Sequence, residues 1–114
     1  MTVGAATIGD LAFSGTKLTQ VDFVNATSIG DGILYGVNTV GAVQFQKAFT
    51  VDETRTSAWR DAGFGSTTTL YVANGQRYVE GNALKLPYGK GTGATATTAY
   101  TTYYFTTIKV AAAK

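Results

Sequence analysis

Twenty threonines, ten valines, seven tyrosines and six phenylalanines, interrupted every few residues by one of 14 glycines, leave this 114-residue chain little choice but to be a β-protein. β-branched side chains lose rotamer freedom in a helix and pack well on a pleated surface. The glycines divide the apolar runs into short pieces, as turns do. Many short strands separated by turn signals suggest a small antiparallel β-sandwich or barrel. The length allows a single domain. No internal repeat of 20–50 residues stands out.

Leu70-Tyr71-Val72-Ala73, Asn74-Gly75 and Gln76-Arg77-Tyr78-Val79 read as a hairpin. Asn-Gly suits a type I′ turn, in which both central residues need positive φ. That turn sets Tyr71 opposite Tyr78, a cross-strand pair worth about 0.2–1 kcal/mol over two alanines. Val43 to Val51 reads as a second strand, with Val43, Phe45, Phe49 and Val51 on one face and Lys47 interrupting it. A bulge or a snorkelling stem accounts for that lysine. Further strands are expected over Leu18–Val24, Ile33–Val37 and Ala83–Leu86. The longest, Tyr100–Val110, carries aromatics on both faces and so needs cover on both sides.

Asp52 or Thr54 can cap one short helix near 52–62, with Trp59 as its core anchor and Gly63 as its stop. Residues 1–15 read as an extended N-terminal arm, and 16–114 as the β-domain. Gly89 to Thr98 has little to bury and reads as a flexible loop.

Catalytic and cofactor chemistry finds little support. With no Cys and no His there is no thiolate, no disulfide, no imidazole-based triad, and none of the usual zinc, haem or iron–sulfur ligand sets. Gly89-Lys90-Gly91-Thr92-Gly93 fails the phosphate-loop pattern, because Leu84 and Gly91 stand where Gly and Ser/Thr belong. It fails the dinucleotide fingerprint at Ala96. Ser14, Ser28, Ser57 and Ser66 lack a nucleophile-elbow context. The seven acids show no paired spacing and no calcium-loop pattern. A surface calcium held by backbone carbonyls and one or two acids is the one metal option. The expectation is a non-enzyme without cofactor.

The start of the chain has no basic segment followed by an apolar run, and no stretch is long and apolar enough to span a bilayer. A protein made in a cytoplasm, without membrane contact, is expected. Asn25-Ala26-Thr27 is then a chance match to the glycosylation sequon. Nine basic against seven acidic residues, net +2, is too weak a field for nucleic-acid binding.

Charged residues are only 14% of the chain, against about 25% in an ordinary soluble domain. Mean hydropathy is slightly positive, +0.06. A small domain has much surface for its volume, so Thr, Gly, Ala and Tyr cover most of this exterior. Interface cores are depleted in charge and enriched in aromatics in the same way. The expectation is a subunit covered by neighbours in an ordered assembly, with Tyr71, Tyr78, Tyr100, Tyr103, Tyr104 and Phe105 as candidate interface residues. In this Thr/Gly/Ala-rich, cysteine-free composition the chain resembles small virion proteins of tailed phages. That resemblance implies a capsid decoration (cement) protein, homo-oligomeric and bound to the major capsid protein or other virion subunits. A tail-tube or head–tail connector subunit, an extracellular filament subunit and a carbohydrate-binding or adhesion module are the alternatives.

Overall fold

The computed structural model describes residues 1–37, 39–54, 59, 68–89 and 99–110. Their strands are β1 (Thr2–Val3), β2 (Thr7–Ile8), β3 (Gln20–Phe23), β4 (Ser28–Ile29), β5 (Ala42–Phe45), β6 (Thr69–Val72), β7 (Val79–Glu80), β8 (Ala83–Tyr88), β9 (Ala99–Tyr104) and β10 (Thr107–Val110). The main sheet runs β1-β3-β5-β6-β10, and every pairing in it is parallel. Thr2 faces Asp22, Asp22 faces Gln44, Gln44 faces Tyr71 and Tyr71 faces Lys109, so the chain returns to one wall after 20, 22, 27 and 38 residues.

Two more walls complete each early turn. β2 pairs in parallel with β4, and Ser28 bridges on to Thr50. The N–H groups of Leu11, Phe13 and Gly15 donate to the carbonyls of Asp31, Ile33 and Tyr35 at 2.8, 2.8 and 2.9 Å. A parallel pair needs a crossover of a dozen or more residues. In the first turns the other walls supply it, and there the chain winds as a parallel β-helix. Among the described residues there is no helix.

Alternation along the main sheet turns one row inward. Val21, Val43 and Leu70 stack rung on rung, all at most 2% exposed, with Ile108 packed at the end of the row. In the next row Phe23 lies over Phe45, ring centroids 4.8 Å apart and planes 14° from parallel. That spacing equals the interstrand distance, so successive coils place the rings in register. Phe13 and Phe49 extend the aromatic line at 6.0 and 4.5 Å. Ile8 and Ile29 line the second wall, and Ile33, Leu34 and Val37 the third.

A repeat is present after all. Ile8-Gly9-Asp10 recurs 21 residues on as Ile29-Gly30-Asp31. The backbone recurs with it, since Leu11 and Gly32 share φ of 57° and 59°, and Gly15 and Gly36 share 74° and 77°. The recurrence is faint in the sequence because the later turns lengthen and few side-chain identities persist.

The antiparallel sandwich or barrel is therefore corrected to a largely parallel coil, and the 70–79 hairpin goes with it. A turn does form at Asn74-Gly75, closed by Gln76 N–H donating to the Ala73 carbonyl at 3.2 Å. Gly75 alone has positive φ there, +82°. That is type II geometry, which does not match strand twist as type I′ does. The turn becomes a corner, and Tyr71 pairs with Gln44 and Lys109 instead of Tyr78. A Cβ on Gly75 meets nothing within 4 Å. Gly75→Ala therefore costs only the left-handed backbone, about 1–2 kcal/mol, readable in a urea titration.

The other expectations shift for related reasons. The 43–51 strand stops at Phe45 and bends at Gln46-Lys47, which puts Lys47 on an exposed corner. Tyr100–Val110 splits at Phe105-Thr106, β9 running antiparallel to β8 and β10 parallel to β6. Residues 1–15 are the first coil and not an extended arm, with Ile8 in the core. The helix near 52–62 and the loop at 89–98 fall mostly outside the described residues. Trp59 is described and buried, its indole N–H donating to the Pro87 carbonyl at 3.1 Å.

Candidate functional site

The exposed end of the coil is built from the first turn. β1 and β2 are the edge strands of their sheets, and among the described residues nothing pairs with their outer sides. Val3, Phe13 and Leu18 pack against the core from one side and stay only partly buried. A solenoid normally closes its end with a polar cap, since each turn buries its apolar layer on the next. Around this layer most exposed residues are small and uncharged, Thr2, Ala5, Ala6, Thr7, Ala12 and Ser14 among them, with Asp10 and Lys17 as its exposed charges.

The glycine repeat shows what contact between coils demands. A Cβ on Gly30 would fall 2.7 Å from the backbone nitrogen of Asp10 and closer still to its carboxylate. The Asp10 carboxylate accepts the Asp31 N–H at 2.8 Å across the same joint. Gly9, the matching position one turn below, has nothing within 4 Å. Sequence reading passed over Asp10 and Gly30; the Ile-Gly-Asp recurrence was the signal that could have found them.

The six aromatic candidates divide three ways. Tyr100 and Tyr104 stand on the outer face of β9, 55% and 69% exposed. Lys85 Nζ lies 5.1 Å from the Tyr100 ring centre and pairs with Glu80 at 3.3 Å. Tyr103 and Phe105 turn inward and belong to the core. Tyr71 is half-buried on the outer face of the main sheet. Tyr78 lies at the corner between the coil and the β7–β8–β9 meander.

The Tyr78 corner is tightly tied. Its hydroxyl accepts the Val51 N–H at 3.4 Å and donates to Glu53 Oε2 at 3.5 Å. Arg77 pairs with Glu53 at 3.3 Å and sets its guanidinium 5.1 Å from the Tyr78 ring centre. Burial holds the phenol above its ordinary pKa, reinforced by Glu53 and opposed by the Val51 N–H and Arg77. A phenol raised on folding contributes stability that is present below its unfolded pKa, about 10, and lost in stronger alkali. Tyr78 has φ of +76°, rare for a bulky residue. Beside it the Gln76 amide accepts the Phe49 N–H at 2.8 Å and donates to the Phe49 carbonyl at 3.0 Å, replacing a strand rung with a side chain.

A cleft of about 490 Å³ opens between Tyr78 and Tyr100. Its charges are matched in the two ion pairs, Arg77 with Glu53 and Lys85 with Glu80. Among the described residues no group of three or more acidic side chains could hold a metal ion. Among the described residues no helix is long and apolar enough to cross a membrane. The chain matches no family model, no curated protein and no solved structure.

Proposed function

We propose that this chain is a structural, non-enzymatic subunit of a large assembly, and specifically a decoration protein on a tailed-phage head. The observation that carries it is the first coil, which ends in an apolar layer and two open parallel strand edges. Strand addition along β1 satisfies its free backbone groups, and the same contact covers Val3, Phe13 and Leu18. Tyr100 and Tyr104 supply a second, aromatic contact surface. The low charge and the compositional resemblance support the virion, with the major capsid protein as partner. A subunit that binds the assembled shell and not its dissociated parts stabilises the shell by mass action.

One observation favours a tail-tube or filament subunit as the second reading. β10 closes the other end of the same parallel sheet, with Val110 55% exposed. Two unlike edges that point the same way can join head to tail, and a heterologous contact that does not close makes a rod.

Decoration is tested by adding purified chain to mature, undecorated heads. A fixed copy number per capsomer is expected, with no binding to free shell protein. Lysines on an edge strand block pairing. The exposed edge substitutions Thr2→Lys and Thr7→Lys together should lower head occupancy about tenfold and leave the melting temperature unchanged. Rods formed by the chain alone would select the second reading. A sharp monomer in the ultracentrifuge that leaves heads bare would end both.

A further inference from the structure

The outer face of the main sheet carries a groove of about 680 Å³ across β3, β5 and β6. Its polar lining comes from Gln20, Asp22, Gln44 and Gln46, and its aromatic wall is Tyr71. Parallel register sets Asp22, Gln44, Tyr71 and Lys109 in one row across neighbouring strands. At the interstrand spacing that row is about 14 Å long. Gln46 Nε2 bridges both Asp22 carboxylate oxygens at 3.2 and 3.3 Å, which holds the pair flat against the sheet. Lys109 Nζ sits 5.6 Å from the Tyr71 ring centre and fixes that ring from the far strand.

We infer that this groove binds a neutral, linear glycan lying across the strands. The backbone N–H and C=O groups between β3, β5 and β6 are engaged in their own ladders. A ligand is therefore read by side chains, which excludes an added peptide strand. The row holds one acid and one base, too little charge to attract a polyanion. Side-chain amides offer both donors and acceptors, as the neighbouring hydroxyls of a sugar require. A half-buried tyrosine offers an apolar face to the C–H side of a pyranose and a hydroxyl at its rim. The volume lies in the range of small-ligand sites. The rungs present a polar group or ring at each strand spacing, a period close to the length of one sugar unit.

The inference stands apart from the assembly reading, since the groove lies on a sheet face and not on the open first coil. The test titrates the full chain separately with maltohexaose, cellohexaose and the chitin hexasaccharide, followed by nuclear magnetic resonance of backbone amides. At least one should bind with a dissociation constant below about 1 mM and shift amides of β3, β5 and β6 together. Tyr71→Ala should weaken that binding about tenfold, and Tyr71→Phe, which keeps the ring, should stay within about threefold of the parent. Tyr35→Ala, at an exposed tyrosine away from the groove, should leave that binding unchanged. Circular dichroism confirms that each variant is folded, and Gln44→Ala repeats the test if Tyr71→Ala is not. Failure of all three sugars to bind at about 10 mM overturns the proposal. So does binding that is indifferent to the ring at Tyr71 and the amide at Gln44, or shifts confined to the meander.

Discussion

Phe45→Ala is expected to lower the melting temperature by about 15 °C, the equivalent of roughly 3–5 kcal/mol. Phe45 is 1% exposed and lies between Phe23 and Phe49, with ring centroids at 4.8 and 4.5 Å. Removing it takes away the transfer free energy of a benzyl group and leaves a void bounded by two stacked turns. Those turns cannot collapse into the void without breaking the ladders between β3, β5 and β6. A domain of this size has about 5–15 kcal/mol in all, so one such change is a large fraction of it. Tyr104→Ala is the control, because a side chain 69% exposed has little to lose. Differential scanning calorimetry on both variants decides the matter. Equal, small shifts would mean that Phe23 and Phe45 do not stack as described.

Gly30→Ala is expected to cost about 3 kcal/mol even though it adds a single methyl group. The new Cβ would fall 2.7 Å from the Asp10 nitrogen, inside van der Waals contact, and against the Asp10 carboxylate. To make room the first two turns must part, and the 2.8 Å bond from the Asp31 N–H to Asp10 stretches. Gly9→Ala makes the identical change one turn lower, where a Cβ meets nothing within 4 Å. Its expected cost in the isolated chain is within about 0.5 kcal/mol. Equilibrium urea unfolding of the two variants measures the difference. Equal midpoints would deny that Gly30 is the joint between coils. If the first coil is the attachment surface, Gly9→Ala weakens attachment while leaving stability alone, since a partner chain would then lie below Gly9 as Asp10 lies below Gly30.

Much of the local structure was legible in residue types. Apolar alternation marked a strand within Leu18–Val24 and a short apolar run marked one at Ala83–Leu86, where β3 and β8 lie. The bend at Asn74-Gly75 was visible too, but its type was not. Asn-Gly permits both the hairpin turn and the type II corner, and only the partner of Tyr71 distinguishes them. The alternation that put aromatics on both sides of Tyr100–Val110 was real. It needed a break at Phe105-Thr106 to serve two sheets, which no local pattern announces. The candidate interface suffered likewise: Tyr103 and Tyr104 are neighbours in sequence, one in the core and one 69% exposed.

From the amino-acid order alone came the β-character, the sparse charge and the want of imidazole and thiol chemistry, because each is a property of side chains summed without regard to where they meet. The direction of strand pairing belonged to the tertiary structure. Val43-Gln44-Phe45 presents the same alternating face to a parallel or an antiparallel neighbour. What decided it was whether the next apolar segment lay one tight turn away or one coil away. That depends on three walls closing around Phe23 and Phe45 together, a contact among residues 20 or more apart that no single stretch of chain contains.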